Sequence, residues 1–131
     1  MISPARVEGY LTLEPEIAQA MVSGERRPYL VAIVVADPEF AADFAGQDGA
    51  PADLAALAAD AAFSKAIGAA VARVNRGLAP IERVRRFVIA AEPFTIANGQ
   101  MTPTLKIKRH AIRDAYGAAL DALYDGKGMA A

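Results

Sequence analysis

The chain has 131 residues, of which 54% are hydrophobic and 22% are charged, and its formal net charge is −1. This length suits a single domain, and the composition supplies a hydrophobic core and argues against intrinsic disorder. The near-neutral charge gives no long-range attraction to nucleic acid or to an anionic membrane. The absence of cysteine excludes disulfides and cysteine-ligated zinc, and the single histidine, His110, excludes a multi-histidine metal site.

The N-terminal quarter of the chain predicts a helix followed by two strands. Ser3 suits the N-cap of a helix and Pro4 its first turn, and Pro15 ends the helical pattern. Two β-compatible runs then flank a Ser-Gly turn. The second run, residues 29–35, is almost continuously apolar, which is typical of a strand covered on both faces. This run is far too short to span a bilayer, and the N-terminus lacks the apolar run of a signal peptide.

The middle of the chain predicts helices. A first helix is expected at residues 38–45 and a loop at residues 46–51. Residues 52–79 are the strongest helical segment, which we expect to be interrupted at Asp60 and ended by Gly77. Its apolar residues recur at steps of four, four and three: Phe63, Ile67, Val71 and Val74.

The C-terminal third predicts a strand, a hairpin and a helix. Residues 82–94 are interpreted as a third strand, with solvent-facing arginines at Arg83, Arg85 and Arg86. Asn98-Gly99 is a hairpin signal. The last helix carries one apolar face: Ile112, Tyr116, Leu120 and Leu123. The order of elements predicts an α+β domain, in which a small mixed sheet of about three main strands plus a hairpin is flanked by helices.

The segment MTPTLKIKRHAI, residues 101–112, places three cations around the start of the last helix. Pro103 restricts the approach to Lys106 to extended conformations, so we expect this lysine to be presented rather than mobile. Lys108 and Arg109 lie at the helix end that the macrodipole disfavours for cations. Their position is better explained by a bound anion, although a solvated basic patch is the simpler alternative.

GQMTPTLKIKR resembles the last motif of the AMP-forming acyl-CoA synthetases, the adenylate-forming superfamily. Most branches of that superfamily have a serine-glycine-lysine core here, whereas the long-chain fatty-acyl-CoA synthetase branch has leucine before the lysine. The motif positions that match this branch are Gly99, Thr102, Pro103, Thr104 and Leu105. Met101 stands where leucine is more usual. The segments ISPARVE, IAQAMVSGERRPYLVAIVV and VARVNRGLAPIERVRRFVI also resemble this branch, in the same order.

The resemblance implies that residues 1–131 are the C-terminal lid domain of an AMP-forming long-chain fatty-acid–CoA ligase. In that family a large N-terminal domain, absent here, binds ATP and fatty acid. The enzyme makes an acyl-adenylate and pyrophosphate, the lid rotates, and the acyl group passes to coenzyme A. Lys106 would then bridge the attacking carboxylate and the α-phosphate, as suits a compact charge on a flexible stem. ATP, Mg²⁺ and coenzyme A are implied for the full-length enzyme, and none is expected to be bound to this fragment.

Four further cations are candidates for contacts with phosphate or coenzyme A: Lys108, Arg109, Arg26 and Arg27. For Arg26 and Arg27 the alternative is a solvated turn between strands. His110 is expected to have a surface or capping role rather than a catalytic one, and no metal site is expected.

The fragment is not expected to catalyse a reaction alone, because it has no phosphate-binding loop and lacks the hinge that precedes ISPARVE in the family. It is expected to be an excised piece of a longer chain or a truncated gene product, cytoplasmic, with peripheral membrane association as an alternative for the full enzyme. One alternative function is a free-standing lid that docks on a separate adenylating partner. Another is a nucleic-acid-binding basic patch, which the net charge and the lack of interleaved aromatic residues disfavour.

Overall fold

The computed structural model describes residues 3–24, 27–46 and 53–126, together with the backbone of residues 129–130. Its helices and strands are α1 (Pro4–Leu11), β1 (Ile17–Ser23), β2 (Leu30–Ala36), α2 (Pro38–Ala45), α3 (Leu54–Ala58), α4 (Ala61–Arg76), a short 3-10 helix (Pro80–Glu82), β3 (Val84–Ile89), α5 (Arg109–Leu123) and β4 (Met129–Ala130).

The sheet is mixed and has the strand order β1-β2-β3-β4. β1 pairs with β2 antiparallel, β2 with β3 parallel, and β3 with β4 antiparallel. Because β4 is only two residues long, the sheet has three main strands, and the predicted α+β class is confirmed.

One helical layer covers each face of the sheet. Leu30, Ala32 and Val34 of β2 pack in a cluster with residues of α1, α3 and α4, whereas Val31 and Ile33 pack in a second cluster with residues of α5. Every residue of β2 is buried. The prediction from the apolar run, a strand covered on both faces, is confirmed, since alternate side chains of a strand point to opposite faces.

The helix boundaries follow local capping chemistry. Ser3 is the N-cap of α1 and accepts a hydrogen bond from the backbone N–H of Arg6 at 3.3 Å. Asp60 caps α4 in the same way through the N–H of Phe63 at 2.8 Å, and Gly77 is the C-cap of α4. Helix α1 ends at Leu11, before Pro15, where the sequence predicts its end. Most of the predicted loop at residues 46–51 lies outside the described residues.

The hairpin predicted at Asn98-Gly99 is replaced by a different local structure. Asn98 Oδ1 accepts hydrogen bonds from the N–H groups of Thr95 and Gln100, both at 3.0 Å, so the side chain takes donors that a strand ladder would have used. The structure describes no strand on either side of this turn. The antiparallel bridge forms instead between Met101 and Ile107.

Among the described helices, none combines the length and the apolar character that crossing a bilayer requires.

Candidate functional site

Lys106 lies in a small antiparallel hairpin that we call the Lys106 loop, residues 100–108. The N–H of Thr102 donates to the carbonyl of Lys106 at 2.8 Å, and the N–H of Lys108 donates to the carbonyl of Gln100 at 2.8 Å. The N–H of Lys106 donates to Thr102 Oγ1 at 3.1 Å. The backbone of Lys106 is therefore held on both sides by Thr102, and its exposed side chain has no ion-pair partner among the described residues.

The tip of the loop places Leu105 in the left-handed backbone region, with φ of 63°. Its N–H donates to the carbonyl of Thr102 at 2.8 Å, and the hydroxyls of Thr102 and Thr104 lie 3.0 Å apart. The Leu105 side chain is 69% exposed. A leucine in this region is strained, and such strain is found preferentially at functional sites.

The base of the loop is fixed by an ion pair between α5 and α1. Arg109, the first residue of α5, donates from Nη1 and Nη2 to both carboxylate oxygens of Glu8, at 2.7 and 2.8 Å. Arg109 also donates to the carbonyl of Val22 at 3.0 Å, and Glu8 accepts from the N–H of Val22 at 2.6 Å. Hydrogen bonding to Glu8 raises the pKa of the Arg109 guanidinium above its ordinary value. The anion that pairs with Arg109 at the start of α5 is therefore the carboxylate of Glu8, a residue of the same chain.

The other predicted cations are placed differently. Lys108 is the exposed N-cap of α5, with no side-chain capping hydrogen bond. Arg27 donates to Asp121 at 3.0 Å and lies over the ring of Tyr124, 4.6 Å from its centroid. Asp121 is about 18 Å along the helix axis from Arg109, so the structure does not bring Arg27 to the Lys106 loop. Arg26 lies outside the described residues.

The solvent-facing arginines of β3 donate to nearby backbone carbonyls. Arg85 reaches the carbonyl of Pro80 at 3.4 Å, and Arg86 reaches that of Gly126 at 2.7 Å. His110 is exposed and lies 3.4 Å from Asp114, one turn further along α5. The contacts of Arg85 and His110 join residues close in sequence, whereas that of Arg86 joins β3 to the turn after α5.

Almost the whole chain matches one known protein family. Residues 1–128 match the family described as AMP-binding enzyme C-terminal domain. The chain belongs to this family. The resemblance inferred from the motif around Lys106 is therefore confirmed.

Curated relatives of this AMP-binding enzyme C-terminal domain are fatty-acid–CoA ligases. The long-chain-fatty-acid–CoA ligase FadD15 of Mycobacterium tuberculosis is 32% identical over 126 residues, which are 95% of this chain and 21% of that protein. Human long-chain-fatty-acid–CoA ligase 1 is 35% identical over 127 residues, 94% of this chain and 18% of that protein. The chain spans about a fifth of the length of these relatives.

A solved structure confirms the fold of the AMP-binding enzyme C-terminal domain. The A domain of a carboxylic acid reductase from Segniliparus rugosus, in complex with AMP and a co-purified carboxylic acid, superposes with a TM-score of 0.76 at 30% identity. The match covers 95% of this chain and 18% of that chain.

Sequence reasoning missed two features of this AMP-binding enzyme C-terminal domain. One is Glu8. The sequence feature that could have indicated it is a carboxylate on the apolar face of α1, three residues before the buried Leu11. The other is an open groove of about 360 Å³ between α1 and β1, with Met101, Leu105 and Ile107 on the loop side. The groove lies directly against the Lys106 loop.

Proposed function

We propose that this chain is the C-terminal domain of an AMP-forming long-chain fatty-acid–CoA ligase, and that Lys106 supplies positive charge to the adenylation step. The proposal depends on one observation above all. The structure holds the backbone of Lys106 by hydrogen bonds in a small hairpin, while its ammonium group has no ion-pair partner among the described residues. A cation presented in this way is available to an anionic substrate.

Adenylation requires a carboxylate oxygen to attack the α-phosphorus of ATP while the bond to pyrophosphate breaks. Negative charge accumulates on the oxygens between the two reacting groups. Lys106 would donate hydrogen bonds to these oxygens and stabilise the transition state more than the ground state. The relatives named as long-chain-fatty-acid–CoA ligases, and the neighbour solved with AMP and a carboxylic acid, support this substrate class.

The remaining substrates and partners follow from the same proposal. The domain would act with an N-terminal adenylation domain, in the same chain or in a separate polypeptide, and would serve both acyl-adenylate and acyl-CoA formation. Lys108, exposed beside Lys106, is the candidate for a phosphate of ATP or coenzyme A. Within the described residues there is no group of three or more histidine, cysteine or acidic side chains that could hold a metal ion.

The test is the variant Lys106→Ala in a ligase that carries this domain. We expect pyrophosphate exchange to fall roughly 10²- to 10³-fold, the effect of removing one donor that stabilises a transition-state charge. Conversion of supplied acyl-adenylate to acyl-CoA should be largely retained.

The matched control is Lys65→Ala, because Lys65 is an exposed lysine on α4, on the opposite face of the sheet. This control should leave both half-reactions unchanged. Equal loss of the two half-reactions in Lys106→Ala would count against the assigned role.

A further inference from the structure

We infer that Glu8 and Arg109 are positioning residues that set where the ammonium group of Lys106 stands during adenylation. This inference rests on the proposed function of Lys106. It concerns two residues whose charged groups bind each other and the backbone of Val22 on the edge of the sheet.

On the outer edge of β1, the side chains of Glu8 and Arg109 make hydrogen bonds that a neighbouring strand would otherwise make. In the part of the chain that the structure describes, β1 is an edge strand, so no neighbouring strand there pairs with its outward N–H and C=O groups. At Val22 the carboxylate of Glu8 accepts from the N–H at 2.6 Å, and the guanidinium of Arg109 donates to the carbonyl at 3.0 Å. The fork of Arg109 also engages both oxygens of Glu8. Four hydrogen bonds therefore join α1, β1 and α5 at one point, and lysine could not reproduce this planar geometry.

This point lies at the base of the Lys106 loop. Arg109 is three residues after Lys106, and the N–H of Lys108 closes the loop onto Gln100 at 2.8 Å. The hydrogen bonds nearer the tip join loop residues to one another, as between Thr102 and Lys106, so they set the shape of the loop but not its direction relative to the sheet. The direction of the loop relative to the sheet is set at its base, where Met101 and Ile107 pack against the core and Arg109 joins the end of the loop to α1 and β1. Of these base contacts, the one made by Arg109 is the ionic link.

The chain contains a matched ion pair that does not touch the loop. Arg73 of α4 donates to Glu14 at 2.7 Å and also to Glu16, so it too joins one guanidinium to two carboxylate oxygens. The Arg73 side chain is 39% exposed and that of Arg109 is 37% exposed. Replacing either arginine should lower overall stability, whereas a loss of loop position should follow only from replacing Arg109.

The first measurement is amide hydrogen exchange on the 131-residue chain. We expect Arg109→Lys to accelerate exchange roughly tenfold at the amides of Thr102, Lys106 and Lys108, as for the loss of one hydrogen bond to a charged group. Arg73→Lys should leave these amides unchanged. This readout is independent of catalysis. Equal exchange in the two variants would overturn the inference.

The second measurement separates the half-reactions in a ligase that carries this domain. Because small misplacements of a catalytic group are costly, we expect Arg109→Lys to lower kcat for adenylation roughly ten- to hundredfold while KM for ATP and fatty acid changes little. Use of supplied acyl-adenylate should be retained. Glu8→Gln should behave like Arg109→Lys, and the double variant should be no worse than either single variant, since all three lose the same link.

The outcomes distinguish this inference from the proposal on which it rests. Retained pyrophosphate exchange in Lys106→Ala would overturn the proposed function, and the catalytic part of this inference with it. Lost exchange in Lys106→Ala, with Arg109→Lys and Arg73→Lys equally active in adenylation, would overturn the positioning inference alone. The adenylation activity lost in Arg109→Lys is expected to return only when arginine is restored at this position.

Discussion

At the scale of single residues, Leu105 combines two features that stability does not favour. Its backbone is left-handed, with φ of 63°, and most of its side chain is exposed. For a residue with a Cβ atom this backbone region costs about 1–2 kcal/mol. This strained residue lies directly beside the proposed catalytic lysine, and backbone strain is found preferentially at functional sites.

We expect Leu105→Gly to leave the free energy of unfolding unchanged or to raise it by up to ~1 kcal/mol, because relief of the left-handed strain outweighs the extra entropy of glycine in the unfolded chain. Leu105→Val should lower the free energy of unfolding, since a β-branched residue fits this region worst. Urea denaturation of the 131-residue chain measures both. A stability loss in Leu105→Gly as large as in Leu105→Val would show that the side chain packs in the groove beside the loop.

At the scale of elements, the helical segment after α2 is divided by its own caps. Asp60 ends the continuity between α3 and α4 because its carboxylate accepts from the N–H of Phe63 at 2.8 Å and starts a new helix. Asp53 does the same for α3 through the N–H groups of Ala55 and Ala56. Because α4 starts as a separate helix, its residues Phe63 and Ile67 face the core independently of the orientation of α3.

Asp60→Ala should lower the free energy of unfolding by about 1 kcal/mol, the usual effect of losing an N-cap acceptor. Asp60→Asn is the matched control, because asparagine accepts the same hydrogen bond and caps helices about as well. Chemical denaturation compares the two. If both variants lost the same stability, the negative charge rather than the hydrogen bond would be responsible for the effect.

At the scale of the whole molecule, the sheet separates two helical layers. Phe63, Ile67 and Val71 of α4 fill one side, and Ile112 and Leu120 of α5 fill the other. The Lys106 loop leads into α5 and belongs to the α5 side, where Met101 and Ile107 pack against the second cluster. The position of Lys106 therefore depends on how α5 lies on the sheet.

The burial of Tyr116 in the α5 layer predicts that the folded protein loses stability at alkaline pH. Burial raises the pKa of the Tyr116 phenol above its ordinary value, and nearby Glu92 raises it further. Because the folded state holds this proton more tightly than the unfolded chain, the associated stability is fully present below the unfolded pKa of about 10. It is lost as the pH rises through the higher pKa of the folded state.

Tyr116→Phe should therefore make the decline in stability above pH ~10 shallower while changing stability at neutral pH little. Thermal denaturation of both proteins across this pH range measures the effect. The slope should not vanish, because burial also raises the pKa of Tyr124 in the same layer. Identical slopes for the two proteins would contradict the prediction.

Features that depend on a few neighbouring residues could be predicted from the amino-acid sequence. The caps at Ser3 and Asp60, the buried run of β2 and the apolar faces of α4 and α5 all follow from capping chemistry and side-chain periodicity, which act within about one or two turns. The motif around Lys106 is equally local, so the family was recognisable from it.

The partners of the charged groups became known only from the three-dimensional packing of the helices and strands. Glu8 and Arg109 are 101 positions apart, and their meeting on the free edge of β1 depends on how α1 and α5 pack around the sheet. The error at Asn98 has a different, local cause, because its side chain used backbone donors two and three residues away that a hairpin would have needed. The contact between Glu8 and Arg109 leaves no periodic signal, since it depends on three-dimensional proximity rather than on spacing along the chain.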